Sequence, residues 1–160
     1  MNTISIIIPA HNSSRTIAQA IRSALTEPEV AEVIVVDDAS NDDTAAVAEG
    51  CDDGTGRVRI IRLVRNVGPA KARNEAIKVA VAPWIAILDS DDILLPGRFA
   101  RLFAAGPFEL AADNIALVPD HMRGSLTPQE IAVFKDMPAQ MSLPDFIGGN
   151  LGGGSGMGRD

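Results

Sequence analysis

Residues 84–96 read WIAILDSDDILLP, an apolar run that ends abruptly in three carboxylates within four positions. Residues 85–88 predict a short buried strand, and carboxylates beside a core are costly unless something compensates their charge. Asp89 and Asp91 flank one residue, so on an extended segment they would lie on the same side. Oxygen ligands placed in this way suit a hard cation such as Mg²⁺ or Mn²⁺. We therefore predict a metal site at the carboxyl end of this strand; the alternative is an acidic, solvated loop.

Strand and helix signals alternate along the chain before this stretch. Short β-branched runs predict strands, and apolar residues at helical spacing predict the helices between them. The predicted strands cover residues 4–8, 33–36, 58–63 and 84–88, and the predicted helices cover residues 16–25, 43–49, 70–81 and 97–105. Apolar strands separated by helices indicate an α/β fold, with a mainly parallel sheet covered by helices on both faces. Ligands of such sheets lie at the carboxyl ends of the strands.

Polar residues follow the first predicted strand at that edge of the sheet. His11 and Asn12 come directly after IIIPA. The imidazole ring offers a face on which a planar base can stack, and the backbone after Pro9 can bond the edges of a base. The plainer explanation is a strand terminator followed by a turn and a helix cap.

Two aspartates, Asp37 and Asp38, follow the second predicted strand in the segment VIVVDDASNDDT. Carboxylates at this place could simply cap the next helix, whose N-terminus favours negative charge. Residues 40–43 already supply such caps, so the two aspartates are surplus to that need. A carboxylate at a strand end suits the imide N–H of a base or a ribose hydroxyl.

The segment RNVGPAKARNEAI, residues 65–77, precedes the fourth predicted strand. Gly68 can supply a positive φ where the helix begins. Lys71 and Arg73 lie near the start of that helix, where cations oppose the helix dipole. Their placement favours an anionic ligand, although surface cations are common, and Asn74 can anchor the loop.

Composition excludes several classes of function. Apolar residues make up 46% of the 160 residues, enough for the core of about one domain. The net charge of −7 argues against a nucleic-acid binder. The single cysteine, Cys51, cannot form an intrachain disulfide or a Cys-rich zinc site. We find no Ser-His-Asp arrangement, phosphate-binding P-loop, signal peptide or spanning apolar run, so we expect a cytoplasmic protein, with peripheral contact at the inner face of a membrane left open.

Taken together, the four polar strand ends are similar to those of a known enzyme family. In order, SIIIPAHN, VIVVDDASNDDT, NVGPAKARNEAI and WIAILDSDDILLPGR resemble the motifs of inverting family 2 glycosyltransferases of the GT-A (Rossmann-like) fold. The resemblance implies a nucleoside-diphosphate sugar as donor, most often a uridine one, and Mn²⁺ or Mg²⁺ as cofactor. By position it implies donor contacts at Pro9, Ala10, His11, Asn12, Asp37 or Asp38, Lys71, Asn74, Asp89 and Ser90. It makes Asp91 the main metal ligand, beside Asp89, and His11 stands where the family usually has Tyr or Phe.

The same resemblance implies a division of the domain and a reaction. We expect a glycosyltransferase domain over residues 1–147, with a donor-binding half at 1–103, a partial acceptor half at 104–147 and a flexible Gly-rich tail at 148–160. The implied reaction transfers sugar, with inversion, to a hydroxyl of a saccharide or lipid-linked saccharide in surface or exopolysaccharide synthesis. The family's catalytic base sits in an acidic motif that we cannot assign here, so we expect the acceptor half to be truncated. Residues 115–118 predict a strand, and residues 127–130 predict a helix start.

Two other functions remain open at this point. A truncated or degenerate domain could bind a nucleoside diphosphate without transferring sugar, and the missing base favours this alternative. A nucleotidyltransferase also uses a metal at a sheet edge, but the Gly-rich, Lys/Arg-bearing loop typical of that class is absent after the first strand.

Overall fold

The computed structural model describes residues 2–106, 110–112 and 139–141. The chain divides into two units, Met1–Ala100 and Arg101–Asp160. In the first unit, strands and helices alternate as predicted. The strands are β1 (Ile4–Ala10), β2 (Val30–Asp37), β3 (Val58–Arg62) and β4 (Trp84–Ile87), and the helices are α1 (Ile17–Leu25), α2 (Thr44–Glu49) and α3 (Pro69–Ile77). Helix α4 (Arg98–Ala104) begins in this unit and ends in the second.

The four strands form one parallel sheet in the order β3-β2-β1-β4. The chain moves outward from β1 to β3 and then crosses to the other side of β1. Right-handed crossovers in opposite directions place their helices on opposite faces. Accordingly, α3 packs on the face of Ile7, Ile34 and Val36, while α1 and α2 contact β2 and each other. The reversal of strand order falls between β1 and β4, which is where open α/β sheets bind ligands.

Strand β4 is less buried than its sequence predicts. Ile85 and Ile87 are 43% and 42% exposed. Ile87 pairs with Ile7 in β1, so its side chain lies on the face that α3 covers. Helix α3 packs over β1 and β2, however, and β4 ends the sheet. The prediction of a buried strand from the apolar composition of β4 is therefore wrong within this unit.

Several element boundaries also differ from the prediction. Strand β1 continues through Pro9 to Ala10, because proline lacks only the N–H donor and its φ suits a strand. Helix α3 ends at Ile77, four residues early, and Gly68 has the expected positive φ of 86° before it. No side chain caps α1 at its N-cap, Thr16; the carbonyl of Ser13 accepts the N–H groups there.

Beyond residue 106, the second unit is described only at β5 (Leu110–Ala112) and β6 (Ala139–Met141), which pair antiparallel. Neither strand was predicted from the sequence. The predicted strand at 115–118, the predicted helix start at 127–130 and the predicted tail at 148–160 lie outside the described residues. Among the helices of the described residues, none has the length and apolar character required to cross a bilayer.

A buried carboxylate, Glu32, connects the amino ends of the strands through hydrogen bonds. This edge of the sheet is the one opposite the predicted site. Glu32 is 5% exposed and accepts from the hydroxyl of Ser5 at 2.7 Å, the N–H of Val81 at 2.8 Å and the guanidinium of Arg59 at 2.9 Å. Burial raises the pKa of Glu32, but these hydrogen bonds and the Arg59 charge together lower the pKa below the 4.5 of an ordinary glutamate. The network joins the segment after α3 to the sheet.

The lowered pKa of Glu32 predicts how stability depends on pH. A carboxyl with a lower pKa in the folded state stabilises that state fully above its unfolded pKa, and loses this contribution as pH falls below about 4.5. We expect Glu32→Gln to lower the free energy of unfolding by about 2 kcal/mol at pH 6.5. The difference from wild type should shrink as pH falls towards 3.5. Urea unfolding at both pH values measures it, and a difference that grows with acidity would contradict the prediction.

Candidate functional site

The carboxyl ends of β1 and β2 are joined by backbone contacts and by the ring of His11. Ala10 pairs with Asp37 in the parallel register, and the N–H of Asp38 donates to the carbonyl of Ala10 at 2.8 Å. Nδ1 of His11 lies 2.8 Å from the carbonyl oxygen of Asp38. Because a carbonyl only accepts, Nδ1 carries the proton. Nε2 then accepts from the side-chain amide of Asn12 at 3.1 Å, so both nitrogens hold the ring in place.

The loops that follow these two strands form one hydrogen-bonded rim. The N–H of Asn12 donates to Oγ of Ser40 at 2.9 Å, and Oδ1 of Asn12 accepts from the N–H of Asn41 at 2.8 Å. The N–H of Ser13 donates to Oγ1 of Thr44 at 2.7 Å. Asn12 has a φ of 53°, a left-handed conformation that Asn tolerates better than most residues. The predicted site residues His11 and Asn12 therefore have fixed positions.

Asp42 joins the same rim to the start of α2. Its Oδ1 accepts from the N–H of Thr44 at 3.0 Å and from the Thr44 hydroxyl, and its Oδ2 accepts from the N–H of Ser14 at 3.1 Å. The Thr44 hydroxyl is the main reason that the pKa of this exposed carboxyl is well below its usual value. The sequence predicts caps for this helix among residues 40–43, and Asp42 is the one that binds the N–H of Thr44 and keeps a negative charge at the rim.

The two aspartates that end β2 are both buried, and they have different contacts. The oxygens of Asp38 accept from the N–H groups of Val67 and Gly68, each at 2.8 Å. Oδ1 of Asp37 accepts from the N–H of Ser40 at 3.1 Å. Asp38 thus holds the loop before α3 against the end of β2, while Asp37 shapes its own turn. The contact of Asp37 or Asp38 with a nucleoside-diphosphate sugar stays a prediction.

The acidic segment after β4 is a turn, not the extended chain that the sequence predicts. The N–H of Asp92 donates to the carbonyl of Asp89 at 3.0 Å, and Ser90 and Asp91 occupy the centre of the turn. The period-two argument for placing Asp89 and Asp91 on one side therefore does not apply. Oγ of Ser90 lies 2.8 Å from Oγ of Ser13. This contact joins the acidic turn to the rim at the point where the strand order reverses.

A cation compensates one carboxylate of the acidic turn. Arg73, in α3, forms an ion pair with Asp89 at 2.8 Å. The Asp89 side chain is 54% exposed, and ion pairs exposed to this degree contribute at most about 1 kcal/mol. A ligand can therefore displace Arg73 at low cost. The sequence drew attention to Arg73 through its position near the helix start, but its partner is 16 residues away and no local pattern identifies it.

The donor set of the turn suits a divalent ion that is held mostly by its substrate. Asp89 and Asp91 are exposed carboxylates, which are hard oxygen ligands. In the part of the chain that the structure describes, no three His, Cys, Asp or Glu side chains form a metal-binding group. Mg²⁺ commonly takes one or two protein carboxylates and completes its shell with phosphates and waters. The residues present fit such an ion without forming a dedicated cage.

Lys71 and Asn74 lie on another side of α3 from Arg73. They line an open cleft of about 340 Å³, whose other lining residues are Leu63, Arg65, Val67, Glu75 and Lys78. Lys78 pairs with Glu75 at 2.7 Å, and the remaining charged groups are cations. The cleft thus combines positive charge with an apolar wall. The cleft begins beside the loop that Asp38 holds. The contact of Lys71 and Asn74 with a sugar donor stays a prediction.

Comparison with known proteins identifies the family of this chain. Residues 5–140 match the model of Glycosyl transferase family 2. The chain belongs to glycosyltransferase family 2. This family 2 chain is 45% identical over 148 residues to the succinoglycan biosynthesis protein ExoU of Rhizobium meliloti (strain 1021), covering 92% of this chain and 43% of ExoU. The family 2 chain therefore spans less than half the length of this curated relative.

Solved structures show the fold of this family 2 chain. S. aureus TarS 1-349 in complex with UDP-GlcNAc is 31% identical, with a TM-score of 0.58, and the match covers 64% of this chain and 30% of the TarS 1-349 chain. The mannosyltransferase PcManGT from Pyrobaculum calidifontis, in complex with GDP-Man and Mn²⁺, is 21% identical and supports the fold alone, with a TM-score of 0.62 over 71% of this chain and 35% of that one. These neighbours are GT-A glycosyltransferases, so the predicted α/β GT-A fold is confirmed.

Proposed function

We propose that this chain carries the donor-binding half of a glycosyltransferase that uses a nucleoside-diphosphate sugar, with a UDP-sugar as the first candidate. The observation that carries the proposal is the junction of the β1, β2 and β4 ends. The Ser13–Ser90 contact and the His11–Asp38 contact hold these ends together at the reversal of strand order. The UDP-GlcNAc complex of TarS supports the choice of donor.

In this proposal each strand end binds one part of the donor. Pro9, Ala10, His11 and Asn12 form the base-binding segment, with the fixed imidazole as a stacking surface. Asp37 or Asp38 accepts from the base or ribose, while Lys71 and Asn74 line the adjoining cleft. Ser90 and the carboxylates Asp89 and Asp91 face the diphosphate, and the carboxylates would hold Mn²⁺ or Mg²⁺. When bound, such an ion neutralises charge on the departing diphosphate.

The acceptor chemistry belongs to the part of the protein after the donor half. We propose that a carboxylate there deprotonates a hydroxyl of a saccharide or lipid-linked saccharide. The hydroxyl oxygen attacks the anomeric carbon with inversion, and the bond from that carbon to the nucleoside diphosphate breaks as the diphosphate departs. No residue of this chain is assigned as that base. The name of ExoU supports a role in exopolysaccharide synthesis, and we place the reaction in the cytoplasm or at the inner face of the membrane.

Nucleotide titration tests the donor site directly. We expect UDP to bind the full chain in calorimetry, with an affinity that rises at least about tenfold when Mn²⁺ is added, because the diphosphate completes the ion's shell. GDP and TDP, titrated in the same way, serve as matched controls for the base. An absence of binding for all three nucleotides, with and without Mn²⁺, would contradict the proposed donor site.

A transfer assay separates an enzyme from a binding module. A panel of UDP-, GDP- and TDP-sugars is incubated with the chain, Mn²⁺ and a saccharide acceptor, and released nucleoside diphosphate is measured against a sample without acceptor. Acceptor-dependent release supports transferase activity. Metal-dependent binding without release would assign this chain to the binding module, since the catalytic base then lies elsewhere.

A further inference from the structure

Glu27 is a buried carboxylate at the far end of α1 from the donor site. It is 1% exposed. Its Oε1 accepts from the N–H of Gly97 at 2.7 Å, and its Oε2 is 3.4 Å from the N–H of Phe99. A buried carboxylate is costly unless hydrogen bonds satisfy it. The carboxylate of Glu27 binds the backbone at Gly97, just before α4, and at Phe99, in the first turn of α4.

A residue within α1, Ser23, holds the same segment closer to the site. Oγ of Ser23 accepts from the N–H of Leu94 at 3.0 Å and donates to the carbonyl of Ala20 at 2.7 Å. Leu94 is itself buried. Gly97, whose N–H makes the Glu27 contact, has a φ of 73°, a conformation that favours glycine. The segment 94–99 is therefore attached at two points, to Ser23 within α1 and to Glu27 just after α1.

The acidic turn lies between this attachment and the sheet. On its N-terminal side, the N–H of Leu88 donates to the carbonyl of Ile7 in β1 at 3.0 Å. On its C-terminal side, the N–H of Leu94 donates to Ser23 and the N–H of Gly97 donates to Glu27. At its centre, Ser90 contacts Ser13. Asp91 thus lies in a turn that is flanked by the attachment to β1 on one side and by the attachments to Ser23 and Glu27 on the other.

We infer that Glu27 is a positioning residue for the acidic turn, and that it acts with Ser23 through the segment 94–99. Its carboxylate keeps residues 89–92 in one place without touching the donor. The consequence for metal and nucleotide rests on the proposed function, whereas the ordering of the turn does not.

Glu27→Gln tests the inference, with Glu32→Gln as the matched control. Both residues are buried carboxylates near the amino ends of the strands, but Glu32 accepts from the N–H of Val81 before β4, whereas Glu27 accepts from Gly97 and Phe99 after the acidic turn. Hydrogen exchange of the full chain reports the ordering of residues 89–95, and titration of UDP at several Mn²⁺ concentrations reports the site. We expect Glu27→Gln to speed exchange of residues 89–95 by about tenfold. It should also raise the Mn²⁺ concentration for half-maximal UDP binding by about tenfold, in the range of partners that orient metal ligands.

The outcomes separate positioning from general stability. Faster exchange at 89–95 in Glu27→Gln, with no such change in Glu32→Gln, supports the inference. Unchanged exchange at 89–95, or equal acceleration in both variants, overturns it. If Glu27→Gln does not fold, Ser23→Ala is judged by the same criteria. If wild type binds no nucleotide while Glu27→Gln still speeds exchange at 89–95, the proposed function fails and the positioning role stands.

Discussion

Asp91→Ala is expected to lower the Mn²⁺-dependent affinity for UDP by more than about 100-fold. Changes in residues that only orient a metal ligand cost about 10- to 100-fold in affinity, and loss of a ligand should exceed this range. Asp91 is exposed, so its removal should leave the fold intact. Calorimetric titration of UDP at fixed Mn²⁺ measures the effect, and thermal unfolding verifies the fold.

Two further variants make the Asp91 result specific. Asp53→Asn changes the net charge equally, in the loop before β3, where Asp53 pairs with Arg57; it should leave UDP binding within about twofold. Asp89→Asn should have a smaller effect than Asp91→Ala, because we propose Asp91 as the main metal ligand and Asp89 as the second. If Asp91→Ala binds UDP with the wild-type dependence on Mn²⁺, the metal assignment is wrong.

Asp38→Ala is expected to lower the free energy of unfolding by about 3 kcal/mol. The carboxylate accepts from two backbone N–H groups, those of Val67 and Gly68. Hydrogen bonds to charged groups contribute about 1.5–3 kcal/mol each. The substitution removes the Asp38 oxygens from both N–H groups, and the N–H of Gly68 keeps the longer contact of 3.2 Å to Oδ1 of Asn66. Urea unfolding, followed through the fluorescence of the single tryptophan, Trp84, measures the loss.

Asp38→Asn and Asp37→Asn calibrate this prediction. An amide at position 38 keeps one acceptor oxygen and places a donor against the second N–H, so Asp38→Asn should lie between wild type and Asp38→Ala. Asp37 accepts one backbone N–H through Oδ1, so Asp37→Asn should cost less than Asp38→Ala. A loss below about 1 kcal/mol in Asp38→Ala would show that the loop before α3 does not depend on this carboxylate.

The strand ends were predictable because their signal is local. Each polar cluster follows directly on an apolar run, as His11 follows β1 and Asp37 ends β2. Parallel strands bring their carboxyl ends to one edge, so the sequence could place these side chains near one another. The conformation of the acidic segment was not predictable, because the turn at Asp89–Asp92 is joined to Ser13, 77 residues before Ser90.

Residue type and periodicity alone determined the α/β alternation, the four strands of the first unit and the residues that stand at each strand end. Only the tertiary structure decided the strand order, the exposure of β4 and the partners of each charge. Arg73 on Asp89, Asp38 on Gly68 and Glu27 on Gly97 join positions 16, 30 and 70 residues apart. Local patterns of residue type determine the backbone conformation and the buried face of an element. The contacts between distant residues depend instead on how the elements pack together, and a short stretch of sequence does not contain that information.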